Sequence, residues 1–374
     1  MTQHVPSRGM RVFILVWFGQ FVSLIGSGLI GFALGVWVYQ RTGSVTQFTL
    51  IPLFTTLPSI VISPLAGALV DRWDRRWAMI LSDSGAGLCT LYIVLLLLSN
   101  RLEVWHIYLT MAASSTFSAF QWPAYSAATT LLVPKQHLGR ANGMVQFGQA
   151  VARIVSPVLA GVLVAAIQVQ GVILIDVATF VFAILTLLLV QVPRPETTAE
   201  GIAGRGSLLR EAAYGWAYVV ARPGLLGLLI IFAATNFTFG MISVLFIPMV
   251  LSFASTAVLG TLLSVAGLGM LVGSLAMTAW GGPKRRVYGV LGFECLIGVC
   301  ILLAGVQAST PLIAAAAFGG FFSFPLINGA SQTIWQSKTA PDVQGRVFAV
   351  RRMIAWSATP LAYLVAGSPC RQGF

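Results

Sequence analysis

Apolar stretches of about twenty residues follow one another along most of the chain, separated by short polar connections. Runs of that length match a hydrocarbon core of roughly 30 Å at 1.5 Å of rise per helical residue. The pattern predicts membrane-spanning helices over residues 11–38, 46–70, 77–99, 104–132, 141–166, 170–192, 224–251, 256–281, 287–307, 310–335 and 347–367, eleven in all. These stretches are rich in Gly, Ala and Ser, which let helices approach closely in lipid. Many carry an interior proline: Pro52, Pro58, Pro64, Pro157, Pro248, Pro325 and Pro360. Helix breakers at membrane depth are tolerated where neighbours or a cavity satisfy the freed backbone groups. The pattern therefore predicts a moving, cavity-lined bundle rather than a simple anchor.

The longest polar connection, residues 193–223, divides the chain into a six-helix bundle at 1–192 and a five-helix bundle at 224–374. It opens with Pro193, Arg194 and Pro195, then becomes polar and Gly-containing, so it is expected outside the membrane. Between Ser207 and Ala221 helical periodicity returns, with Leu208, Leu209, Ala212 and Trp216 near one face. An interfacial helix is expected there, held by Arg210 and Arg222. A weak internal repeat relates the halves. P-K-Q-H-L-G-R (Pro134–Arg140) precedes the fifth span and P-D-V-Q-G-R (Pro341–Arg346) the eleventh, each placing a Gly-Arg pair at a helix entrance. Parallel repeats of this kind occur in transporters whose substrate path runs between the halves.

Composition reinforces the membrane reading. The 374 residues are 57% hydrophobic and 9% charged, against roughly 25% charged in soluble domains. So little charge could not cover a water-facing surface. The net charge of +12 raises nucleic-acid binding as a possibility, but the basic residues sit in short loops at intervals and form no basic domain. With the N-terminus in the cytoplasm, eighteen of the 22 Lys and Arg residues fall on that side, Arg351 and Arg352 among them a turn or so inside their span. Only Arg41 and Arg101 fall opposite. The asymmetry fixes the orientation and places a multi-pass protein in a bacterial-type inner membrane. The first helix lacks a small-residue cleavage site, so no cleavable signal is expected. Cys89, Cys295, Cys300 and Cys370 are scattered without metal-ligand spacing. No phosphate-binding loop is present, so energy must come from an ion gradient or the solute's own. No cofactor or metal is called for.

Between the second and third spans the chain reads G-A-L-V-D-R-W-D-R-R, Gly67 to Arg76. A glycine here lets another helix approach. Asp71, at a helix end, can pair with an arginine or sit at the positive N-terminus of another helix. This stretch resembles the signature loop of the major facilitator superfamily, matching it at Gly67, Leu69, Asp71, Arg72, Arg75 and Arg76. Asp74 stands where the family usually has Gly, and Val70 where it has Ala. The resemblance implies an all-α two-bundle fold, with eleven helices present of an expected twelve, and a gating latch carried by Asp71 and Arg72. Its receptor is expected at the entrance to the eleventh span, near Gly345 and Arg346. Gly67, Arg75 and Arg76 complete the gating motif, with cytoplasmic anchoring as the competing expectation for Arg75 and Arg76. The corresponding second-half loop, Gly281–Arg286, is basic but has no acid, so the latch is expected to be one-sided.

Further stretches resemble the drug-efflux branch that includes macrolide and siderophore exporters: Phe18–Gly28, Phe32–Val38, L-G-R-A-N-G (Leu138–Gly143) and E-A-A-Y-G-W (Glu211–Trp216). S-P-V-L-A-G (Ser156–Gly161) imperfectly resembles an element of drug/proton antiporters, with Ser156 and Ala160 in place of two glycines. The resemblance implies export of small amphipathic molecules coupled to protons, by a monomer. Import of a nutrient solute is the rival within transport, and a membrane scaffold or sensor the rival outside it.

Ionisable groups inside spans are costly and mark candidate function. Four are Asp83, Arg153, Asp176 and Glu294. Asp176 and Glu294 are the expected proton carriers, with Arg153 as partner or substrate counter-charge. For Asp83 the competing expectation is anchoring beside Arg75 and Arg76; for Asp176 it is a helix cap. Aromatics mixed with a few amides suit large amphipathic ligands, so Gln20, Gln121, Trp122, Tyr125, Asn236, Phe239, Asn328, Gln332 and Trp335 are the candidate cavity residues. His106 and His137 are expected to be solvated at span ends. The last residues, Gly367 to Phe374, do not begin another helix. Read one nucleotide later, the codons for 368–374 can spell P-L-A-D-R-V-F, echoing the Gly67–Arg72 loop. A frameshift replacing the final span is the corresponding expectation.

Overall fold

The structure is a computed structural model that describes residues 9–367. The suggested frameshift, with Cys370 and Arg371, lies outside the described residues, as does Arg8. The described chain is helical throughout, without strands: α1 (Gly9–Thr42), α2 (Val45–Arg72), α3 (Arg75–Leu98), α4 (Val104–Leu132), α5 (Leu138–Leu188), α6 (Ala199–Ala203), α7 (Leu208–Val220), α8 (Pro223–Leu251), α9 (Thr256–Trp280), α10 (Arg286–Val306), α11 (Thr310–Lys338) and α12 (Gln344–Gly367). Eight of these are long and apolar enough to cross a membrane. One of the eight, α5, is broken at Gln168, whose φ of 60° and ψ of 177° are not helical. The break falls between the expected fifth and sixth spans.

Local chemistry sets the ends. Ser44 and Ser255 cap α2 and α9 by accepting from the backbone N–H of Gln47 (3.3 Å) and Val258 (3.4 Å). A side-chain cap of this kind contributes roughly 1 kcal/mol. Asp74, the departure from the family signature, caps α3 by accepting from the Arg76 N–H at 2.9 Å. Glu103 and His106 form a reciprocal capping box at the start of α4, so the partly buried His106 is a structural residue. Pro223 opens α8, where its missing N–H costs nothing.

Two compact units emerge. The first comprises Met1–Lys135, Val151–Gly215 and Thr339–Ala349, and the second Gln136–Ala150, Trp216–Lys338 and Val350–Phe374. In the first, α2 and α3 both pack on α4. In the second, α9 and α10 both pack on α11. The entrance of α12 thus belongs to the first unit while most of that helix belongs to the second. The start of α5 belongs to the second unit.

The linker holds a helix at α7, as expected, and a short additional one, α6, that periodicity did not reveal. The expected apolar face is turned outward at Leu209 and Trp216. Glu211, Gly215, Tyr218 and Val219 are buried, whereas the exposed stripe is Leu209, Ala213, Trp216 and Val220. Leu208 and Ala212 lie between the two faces, partly buried. The buried glutamate on an otherwise apolar helix decides the orientation, because its partners lie inward.

Candidate functional site: an acid–arginine clasp

The site grows from the last turn of α2. Gly67 comes so close to Gly345 and Ala349 of α12 that a Cβ there would collide with the Gly345 carbonyl. This contact brings Asp71, one turn on, to the first turn of α12. The fully buried Asp71 carboxylate accepts from the Gly345 N–H at 2.7 Å and the Arg346 N–H at 3.0 Å, and Arg346 Nε reaches it at 3.1 Å. Free N–H groups at a helix start carry partial positive charge, so the carboxylate meets both the dipole and a guanidinium.

Arg75 completes the acid's surroundings. Its side chain is 4% exposed, stands 3.6 Å from Asp71, and donates to the Pro341 carbonyl at 3.0 Å. Arg75 is therefore part of the clasp and not a loop anchor alone. Arg76 also does more than anchor, donating to the carbonyls of Leu187 and Leu188, each at 2.8 Å, at the end of α5. Carbonyls there lack intrahelical partners.

The linker supplies a second carboxylate that sequence reasoning missed. Arg72 grips Glu211 through Nε (3.1 Å) and Nη2 (3.0 Å), and gives a further bond to the Gly206 carbonyl at 2.7 Å. Glu211 also accepts from the Gly206 N–H at 3.1 Å and lies 3.8 Å from Arg346. Burial alone would raise the Glu211 pKa, but the Arg72 bonds, the Gly206 N–H and Arg346 together hold it below its ordinary 4.5. Asp342, between α11 and α12, takes the Thr198 N–H and hydroxyl, both at 2.7 Å, and so fixes the linker's other end. These groups border a cavity of about 560 Å³ that also includes Arg194 and Arg205. In the sequence Glu211 stood out only as the first residue of the E-A-A-Y-G-W stretch, with no role attached. Asp342 was visible only as part of a repeat.

The intramembrane candidates separate by unit. In the first, Asp83 is 5% exposed and accepts from Gln20 Nε2 at 2.8 Å, while Gln121 Nε2 bonds Gln20 Oε1 and lies 3.4 Å from Asp83. Asp83 is thus joined to two candidate cavity residues and is not beside Arg75 and Arg76. The Tyr125 hydroxyl, one turn beyond Gln121, is buried without a partner. Trp122 is half-buried. Asp176 is fully buried inside the second helix of α5, where it accepts from Thr90 Oγ1 at 3.0 Å and leaves Oδ1 unpartnered. It does not act as the expected cap, because the helix already runs from Val169. Arg153 is exposed, and no described carboxylate pairs with it.

In the second unit, Glu294 accepts from Thr235 Oγ1 at 3.0 Å. Asn236 and Asn328 spend their amide N–H on the Ala355 and Phe324 carbonyls, both at 2.9 Å. Phe239 packs edge-on to Phe321 and Phe324. Gln332 and Trp335 are 6% and 0% exposed, so they do not form an open wall. They meet Arg351 instead. Its guanidinium donates to Gln332 Oε1 at 2.6 Å and lies 5.1 Å from the Trp335 ring centroid. Arg351, which the sequence marks only as a cytoplasmic-side charge, is thus built into the helix packing.

The Major Facilitator Superfamily model matches residues 16–362. The chain belongs to this superfamily. It is therefore a multi-pass membrane transporter, and its family and relatives are transporters rather than enzymes. Macrolide efflux protein A of Streptococcus pyogenes is 28% identical over 361 residues, covering 95% of this chain and 88% of that protein. The multidrug efflux pump Tap of Mycolicibacterium fortuitum is 25% identical over 366 residues, with the same shares of 95% and 88%. Among solved structures, a bacterial homologue of the iron transporter ferroportin in an outward-facing state matches with a TM-score of 0.74 at 15% identity, covering 96% of this chain and 93% of that one. That likeness concerns the fold.

Within this facilitator the internal repeat has a physical counterpart in the second unit. Gly139, aligned with Gly345, is pressed onto the Gly281 carbonyl at the end of α9, and Gly143 lies against Met277 and Thr278. Gly281 ends α9 in the left-handed region at φ +83°, which glycine adopts without a Cβ penalty. The close helix-entrance contact is thus repeated, but a backbone carbonyl stands there in place of an acid.

Proposed function

We propose that this facilitator is a proton-coupled exporter of small amphipathic compounds, acting as a monomer by alternating access across a bacterial-type inner membrane. In this reading its N-terminus is cytoplasmic and its spans number eleven, with α5 counted as two and with α4 and α12 included. The bundles are residues 1–192 and 224–374, joined by the 193–223 linker.

The observation that carries the reading is the Asp71 carboxylate on the first turn of α12. It is a charge-assisted contact between the first half's signature loop and a second-half helix, of a kind that can be made in one state and broken in another. Gly67, Asp71, Arg72 and Arg75 serve as the gate, with Arg76 fixing the loop. The efflux proteins named above support export. Buried carboxyls at Asp83 and Asp176 and a partly buried one at Glu294 support proton coupling, since burial is what makes a carboxyl's protonation depend on access to water. Each has one oxygen bonded by a side chain on another helix.

Cells expressing the chain should lose a preloaded fluorescent hydrophobic dye faster than control cells, and an uncoupler should abolish the difference. Dye loss that persists after the proton gradient is collapsed would rule out proton coupling.

A further inference from the structure

The second unit contains a single carboxylate, Glu294, which is held by Thr235 on α8. Yet Arg351 lies about two helical turns into α12 with no acidic partner among the described residues. Its guanidinium donates to two neutral acceptors, Gln332 Oε1 at 2.6 Å and Ser331 Oγ at 3.2 Å. Two aromatic faces flank it, Trp335 at 5.1 Å and Phe232 at 5.7 Å. An arginine at such depth is expensive unless it has a function, and it is then normally paired.

The neighbouring polar atoms do not supply that pairing. Gln332 spends its oxygen on Arg351, and its buried Nε2 has no partner. The Trp335 indole Nε1 is likewise buried and unpartnered, on a side chain 0% exposed. Leaving a buried donor unsatisfied is unfavourable, so a pair of them beside a cation calls for an acceptor. Around one guanidinium there is a surplus of donors and a shortage of acceptors. Arg351 itself is only partly buried, so part of its surface remains reachable.

We propose that Arg351, Gln332 and Trp335 form an oxyanion-recognition site, in which the partly exposed guanidinium and the two unpartnered N–H groups take a carboxylate or phosphate group of the exported amphipathic compound. The inference rests on the transport reading and names its substrate class. Guanidinium and oxyanion match in charge and in fork geometry. The two unpartnered N–H groups suit the acceptor capacity that one guanidinium leaves unused.

The test uses the full chain in phosphatidylcholine nanodiscs. Two xanthene dyes are compared by fluorescence anisotropy: fluorescein, which carries a carboxylate, and rhodamine 6G, a cation with an ester in that place. Wild type should bind fluorescein. In R351Q the fluorescein-to-rhodamine affinity ratio should fall about tenfold, and R351K should restore part of it. W335F keeps the ring and removes the N–H, and should lower the ratio severalfold; it carries the test if R351Q does not fold. Binding of rhodamine 6G but not fluorescein by wild type would overturn the proposal, as would an equal loss for both dyes in R351Q and W335F. So would phosphatidylglycerol displacing fluorescein from wild type but not from R351Q, since the oxyanion would then be a lipid headgroup. Binding is read without any gradient. Failure of the dye-efflux experiment with anion-selective binding intact would sink the coupled-export reading and leave this site standing.

Discussion

The carboxylate of Asp71 takes both the backbone N–H of Arg346, at 3.0 Å, and its side-chain Nε, at 3.1 Å. One residue of α12 is thus held at two points by one acid of α2. Asparagine in that position would keep an acceptor but lose the charge, and would turn an amide towards N–H donors. Removing one partner of a buried pair typically costs about 3–5 kcal/mol. D71N should therefore slow uncoupler-sensitive dye efflux at least tenfold while the protein still reaches the membrane. Wild-type efflux from D71N would show that the clasp does not gate transport.

Gly67 sets the approach that the clasp needs, because a Cβ there would strike Ala349 and the Gly345 carbonyl. Gly31, in α1, has open space around its Cβ direction. G67V should abolish dye efflux and lower the melting temperature in detergent, whereas G31V should leave both near wild type. Comparable effects from the two substitutions would mean that helix propensity, not proximity to α12, is what matters.

Glu211 makes the linker's hold on the clasp pH-dependent in a defined direction. Its pKa is depressed in the folded protein. A depressed carboxyl contributes stability above its unfolded pKa, and that contribution is lost as pH falls through the folded value. The difference in melting temperature between wild type and E211Q should be fully present above the ordinary glutamate value of 4.5 and close only as pH falls below it. A gap that closes between pH 6 and 7 would place the titrating group elsewhere.

Asp83 is joined to Gln20 and Gln121, which are themselves candidate cavity residues. Protonation of that carboxyl and occupation of those amides by a ligand would compete for the same hydrogen bonds. D83N should abolish proton-driven dye accumulation in inverted vesicles yet retain dye exchange down its own gradient. Loss of exchange together with accumulation, in a folded variant, would make Asp83 a structural residue.

Asp342 and Thr198 can be tested by proteolysis. Asp342 holds both the N–H and hydroxyl of Thr198. D342A should release this end of the linker and speed tryptic cleavage at the exposed Arg205 severalfold. An unchanged cleavage rate would show that the remaining contacts suffice.

Much of this molecule was legible from apolar run length, because in lipid a helix must satisfy its own backbone and its ends are marked by familiar residues. Ser44, Asp74, Pro223 and Ser255 all stand at or next to the start of a helix. The Asp71 contact was legible too, because a repeat put Gly345 and Arg346 at a second helix entrance. Side-chain direction was not. Arg351 at a helix entrance reads as topology until the rotation of α12 turns it onto Gln332 and Trp335. Trp335 reads as a cavity wall until it is found fully buried. Glu211 lies 139 residues from Arg72, a separation at which no periodicity in either segment reports on the other.

The linker's attachments make it a closed ring rather than a tether. Thr198 is tied to Asp342 and Glu211 to Arg72, and both of these partners, one acceptor and one donor, sit at the one clasp. The circumference between those two ties is fixed, so added or deleted residues there would have to break one of them. Length variation, natural or engineered, is accommodated more readily between Pro193 and Thr197, ahead of the first tie.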